Sequence, residues 1–152
     1  MKKVLLVTLI FLGLTGQALA TDSLATIERA FLLNKVSLLK NLLPEKRYLN
    51  LSFPPPLSFS DTFSAEQTYL IFKHIFARFK TQEFYSIHLY SLEPSPTAIL
   101  KSRWAFQDKK TNKRYVLDVY FFLQAYPSSE KNHQPSPEKN LWEIIEIKGL
   151  RR

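Results

Sequence analysis

Residues 98–126, AILKSRWAFQDKKTNKRYVLDVYFFLQAY, decide the fold. They read as two strands, 98–108 and 114–126, joined across the polar segment Lys109-Lys110-Thr111-Asn112-Lys113, a length and composition that suit a hairpin connection. Side chains alone select the register. With Asp108 opposite Lys113, Leu100 faces Phe121, Ser102 faces Val119, Trp104 faces Leu117 and Phe106 faces Tyr115. That gathers the large apolar groups on one side. The other side sets Arg103 against Asp118, an opposite-charge pair, and Lys101 against Tyr120. A slip of one residue brings Asp118 opposite Trp104 and forfeits both gains, so the first register is expected.

Flanking segments extend the sheet. Residues 141–150 read as a last strand, reached through residues 127–140, which carry three prolines and no aliphatic side chain and so read as a long loop. Upstream, Tyr85, Ile87 and Leu89 alternate with Ser86, His88 and Tyr90, a further strand closed by the turn Glu93-Pro94-Ser95-Pro96. Before it, Ser64 with Gln67 three residues later forms a capping box. Ala65, Tyr69, Phe72, Phe76 and Phe79 then recur at spacings of four, three, four and three, which predicts a long amphipathic helix ending near Lys80. Leu49, Leu51 and Phe53 alternate with polar residues in a short strand stopped by Pro54-Pro55-Pro56.

Two short helices come first. Asp22 or Ser23 can cap one whose inward residues are Leu24, Ile27, Ala30 and Phe31, and Asn34, which tolerates the left-handed conformation, stops it. The second turns Val36, Leu39, Leu42 and Leu43 inward and ends at Pro44.

The first twenty residues have the anatomy of a secretory leader: Lys2-Lys3, an apolar run over residues 4–14, and the small-x-small site Ala18-Leu19-Ala20. Residues 1–20 are therefore expected to be a signal peptide and residues 21–152 a single exported domain, long enough to bury one core. The expected location is secreted, periplasmic in a bacterial cell, with membrane contact only through the leader before cleavage. The chain has no cysteine, so it forms no disulfide and offers no thiolate to a metal. Its net charge of +8, two of it from Lys2 and Lys3, is dispersed rather than gathered in runs and reads as a solubility feature.

This element order, with Ile27-Glu28-Arg29-Ala30-Phe31 in the first helix, Ser64-Ala65-Glu66-Gln67 opening the long one, residues 115–123, and Leu141-Trp142-Glu143-Ile144-Ile145-Glu146-Ile147 at the end, resembles the cone-shaped nuclear-transport-factor-2-like superfamily, and small secreted bacterial members of it in particular. The resemblance implies an α+β fold in which a curved antiparallel sheet wraps around one long helix, after two short N-terminal helices, leaving a pocket at the open end of the cone. Some members are isomerases, cyclases or dehydratases with an Asp, Glu or His in that pocket. Others bind ligands or partners without catalysis, and the fold alone does not choose.

Within such a cone, Tyr69, Phe72, Phe76, Tyr85, Trp104, Leu117 and Tyr115 are expected to line the pocket. Aromatic stripes of this kind also serve simply as core. The last strand has two readings: Glu143 points inward with Ile145 and Ile147, or Glu146 does with Trp142 and Ile144. Either glutamate is a candidate base, with Tyr115 as oxyanion donor. A bulge or twist in the strand that leaves both glutamates in solvent is the structural alternative. The three histidines, His74, His88 and His133, stand at no metal-ligand spacing, so neither metal nor cofactor is expected. On the outer face Tyr90, Tyr120 and Phe122 surround Arg103 and Asp118, an apolar surface expected to carry a homodimer contact or to lie under the N-terminal helices or the loop. The expected function is an exported, non-catalytic domain that binds a small apolar ligand or a protein partner, not nucleic acid. The alternative is a small cone-pocket isomerase or hydro-lyase.

Overall fold

The computed structural model describes residues 15–92, 95–125 and 142–152, with side chains described from residue 22 onward. The leader's start, the turn residues Glu93 and Pro94, the loop 127–140 with His133, and Tyr126 and Leu141 lie outside the described residues.

Helix α1 (Thr15–Leu32) is followed by a 3-10 helix (Val36–Leu42), β1 (Leu49–Phe53), β2 (Phe59–Phe63), α2 (Ala65–Arg78), β3 (Phe79–Ser91), β4 (Thr97–Asp108), β5 (Arg114–Ala125) and β6 (Trp142–Arg151). The strands form one curved sheet in the order β2-β1-β6-β5-β4-β3. The expected hairpin register holds at every position: Leu100 pairs with Phe121, Trp104 with Leu117, Phe106 with Tyr115 and Arg103 with Asp118. Alternation along β4 is complete, each even-numbered residue from Ala98 to Asp108 being buried.

Four features differ from expectation. Helix α1 has 18 residues, six of them within the expected leader, against 14 for α2, so one long helix does not stand out and the N-terminal helices are not a matched short pair. Asp22 and Ser23 lie inside α1 instead of capping it, because Ala18, Leu19 and Ala20 before them are good helix formers. The sheet is not wholly antiparallel, since β1 joins β6 in parallel through Leu51 opposite Ile147. And β2, hairpinned onto β1 beyond the proline segment, is an added edge strand.

The helices are tied together where they meet β3. Asn34 ends α1 with φ of 50°, as its position implied. Its side-chain amide donates to the carbonyls of Phe76 and Phe79 and accepts from the Thr81 amide. Lys109, from the β4–β5 hairpin, donates to the last carbonyls of α2 at Phe76 and Ala77, filling acceptors that a helix end leaves open. At the other end of α2 the Ser64/Gln67 capping box is formed in both directions.

Candidate functional site

The inside of the cone holds aromatic rings. Phe31 of α1 is fully buried, stacks on Phe84 with ring centroids 4.4 Å apart, and meets Trp104, Phe76, Phe121 and Phe72 edge-on at 5.1 to 5.7 Å. Phe72, Phe76, Trp104 and Leu117, expected as pocket walls, are therefore core. The Trp104 indole N–H donates to the buried Thr81 hydroxyl at 3.0 Å, which settles its one polar atom.

Tyr85 is not in the interior. It pairs with Arg103 on the outer face, is 42% exposed, and accepts a hydrogen bond from Arg103 Nη1 at 3.0 Å. Two register shifts in β3, at Thr81/Glu83 and Ser86/His88, reset the alternation, so Phe84 and Ser86 turn inward while Tyr85, His88 and Tyr90 turn outward. Tyr69 lies apart from the other pocket residues, on the wall of a cleft of about 760 Å³ between the 3-10 helix and the start of α2.

The proposed acid–base set does not assemble. A register shift at Phe122/Leu123 places an extra residue, Ile145, in β6, so that Glu146 pairs with Phe122 and Glu143 with Gln124, both outer-face positions, while Ile144 and Ile147 turn inward. The strand does bulge, as the structural alternative supposed, but the bulge does not leave both glutamates in solvent: Glu143 is buried. Its carboxylate accepts from Arg47 Nη2 at 2.9 Å, and Arg47 Nη1 donates to Gln124 Oε1. Tyr115 stacks on Phe106 at the other end of β5. It stands nine residues from the Gln124 that faces Glu143, which at a strand's rise is about 30 Å.

Two carboxylates do approach the inner face, and both are held. Asp108 ends β4 and accepts from the amides of Lys110 and Thr111 and from Arg78 Nε and Nη2. The Lys110 amide first, then Arg78, hold its carboxyl below the usual carboxylate value against the opposing effect of burial. Glu28, on α1, accepts from both the amide and the hydroxyl of Ser86, at 2.9 and 2.6 Å. Sequence reasoning left Glu28 and Arg47 without a role, since each acts across 58 or more residues of chain, and no local pattern signals such a pairing. Among the described residues no group of three His, Cys, Asp or Glu could hold a metal ion.

The outer face does bring its expected residues together. Arg103 and Lys101 flank Asp118 at 3.8 and 3.5 Å, with Tyr120 opposite Lys101, Phe122 opposite Ile99, and Tyr90 beside Ile99 on β3. The Tyr120 phenol, and after it the Asp118 carboxylate, raise the Lys101 ammonium above its ordinary pKa. Val116 and Tyr90 are 43% and 44% exposed, so the N-terminal helices do not cover this part of the sheet.

No protein-family model and no curated protein matches the chain. Solved structures do. A DUF4783 family protein from Bacteroides ovatus superimposes with a TM-score of 0.59 at 16% identity, over 84% of this chain and 94% of that one. An NTF2-like protein from Cytophaga hutchinsonii gives 0.60 at 11% identity, over 90% and 98%. A ketosteroid isomerase-like protein from Erwinia carotovora atroseptica gives 0.58 at 11%, over 89% and 92%. The chain has the nuclear-transport-factor-2-like fold that the sequence resembled.

Proposed function

We propose that the protein is an exported, non-catalytic domain that binds a protein partner through the outer face of its sheet. The observation that carries this reading is Phe31. Its ring occupies the space among Phe72, Phe76, Phe84, Trp104 and Phe121, where an open cone would receive a small apolar ligand. The outer face supports the same reading from the other side. It carries Tyr85, Tyr90, Val116, Tyr120 and Phe122 around the Arg103–Asp118 pair, and aromatic residues with arginine are the composition of protein interfaces. Export rests on the leader anatomy of residues 1–20.

Site-specific photocrosslinking tests it. A photoreactive phenylalanine analogue at Val116, in the chain expressed in a bacterial envelope, is expected to give a discrete adduct with one protein. The same analogue at Lys73, exposed on α2, serves as control. Adducts of equal yield from both positions, or none from Val116, would refute the reading.

A further inference from the structure

The two edges of the sheet are treated differently. β2 is short, five residues, and Asp61 within it accepts from the Thr62 amide, the charged and locally capped kind of edge that resists pairing. β3, the opposite edge, is 13 residues long. Its first half is shielded by α1: Asn34 accepts from the Thr81 amide and Glu28 from the Ser86 amide. No such cap is found beyond Ser86 among the described residues. The Leu92 amide donates to the Thr97 carbonyl, so that pair is hydrogen-bonded. Alternation then makes Tyr90/Ile99 and His88/Lys101 the bonded pairs, and turns the N–H and C=O of Leu89 and Ser91 away from the sheet.

This bare stretch is also apolar and uncharged. Residues 84–92, FYSIHLYSL, contain no Asp, Glu, Lys or Arg, and Ile87, Leu89, Tyr90 and Leu92 are 38% to 45% exposed. An edge without charge or proline is a template for another strand. The charge balance of the chain, 21 basic against 13 acidic residues, sets two copies against each other over most of their surfaces, and this edge is a place where they meet without like charges.

We propose that two copies of the chain associate by antiparallel pairing of residues 88–92 of β3, with the two-fold axis at Tyr90, joining two six-stranded sheets into one. Leu89 of each copy exchanges two backbone hydrogen bonds with Ser91 of the other. The Tyr90 rings meet as a cross-strand aromatic pair on the outer face, and the Ser86/His88 register shift ends the ladder at Ile87.

Sedimentation equilibrium of the purified chain, with hydrogen exchange on the same samples, tests this. The expected mass is twice that of the chain, with the Leu89 and Ser91 amides protected. Ser91→Pro removes two symmetry-related donors and is expected to weaken association about 30-fold. Tyr90→Lys keeps every backbone donor, sets two ammonium groups against each other at the axis, and is expected to give monomer even if the proline variant does not fold. Val116→Lys, on the sheet face, is expected to leave the dimer intact. A monomer at every concentration, free exchange at Leu89 and Ser91, or a dimer that survives both edge variants and is lost with Val116→Lys overturns the proposal. These outcomes are independent of the Val116 crosslink to a different protein.

Discussion

At the scale of single residues, Asn34 and Asp108 have structural duties that a composition summary would miss. Asn34 combines a left-handed backbone with three side-chain hydrogen bonds linking α1, α2 and β3. Asn34→Ala puts a residue that tolerates the left-handed conformation less well than Asn into it, about 1 kcal/mol, and strands the amide donor of the buried Thr81, about 1–3 kcal/mol. The expected loss is about 2–4 kcal/mol in denaturant unfolding. Asn34→Gly restores the backbone freedom alone and is expected to recover about 1 kcal/mol of it. Asp108 answers to pH. Its folded pKa is depressed below the ordinary 3.8, so its contribution is fully present above that value and is lost as pH falls through the depressed one. The stability gap between the native chain and Asp108→Asn is expected to be constant from neutral pH down to about 4 and to shrink below it, read by acid titration of the unfolding midpoint.

At the scale of elements, legibility in the sequence followed the regularity of the ladder. The β4–β5 register was readable residue by residue because both strands alternate without interruption, and charge and volume then agree on one pairing. In β3 and β6 the same alternation misplaced Tyr85 and left Glu143 and Glu146 unresolved. Each bulge adds one residue, and an extra residue has no local signature while it inverts every later side chain. The β6 bulge has an energetic consequence at Glu143. Its side chain is 8% exposed and that of its partner Arg47 is 50% exposed, so Arg47→Ala leaves a carboxylate out of water without its cation. The expected cost is about 1–3 kcal/mol, less than for a wholly buried pair because water reaches the arginine. In a double-mutant cycle Glu143→Gln is expected to recover part of that loss, which a solvated, independent glutamate would not do. Gly149 shows how tightly β6 meets β1. A Cβ there would stand 2.6 Å from Cδ1 of the buried Phe53 ring. Overpacking at about 1–3 kcal/mol outweighs the roughly 0.5–1 kcal/mol gained by removing a strand glycine, so Gly149→Ala is expected to destabilise.

At the scale of the whole molecule, the question is what fills a cone. The sheet, closed on one side by α1, the 3-10 helix and α2, encloses a space whose centre is taken by one side chain of the first helix. Phe31 touches five other rings drawn from α2, β3, β4 and β5. The sequence placed Phe31 on the inward face of its helix, but periodicity tells which side a residue faces and not how far it reaches, so its role as the plug was not legible there. Phe31→Ala is expected to cost about 3–5 kcal/mol through lost burial and the void left behind, a large part of a typical domain's stability. That void would be apolar and walled by phenylalanine and tryptophan, the kind of cavity that stays dry and accepts benzene or xenon. Benzene is therefore expected to raise the melting temperature of Phe31→Ala and to leave the native chain unmoved, a difference that thermal unfolding with and without the ligand reads directly. Equal stabilisation of both chains would mean that the native interior already has room for a ligand, and the case for recognition through the outer face would lose its main support.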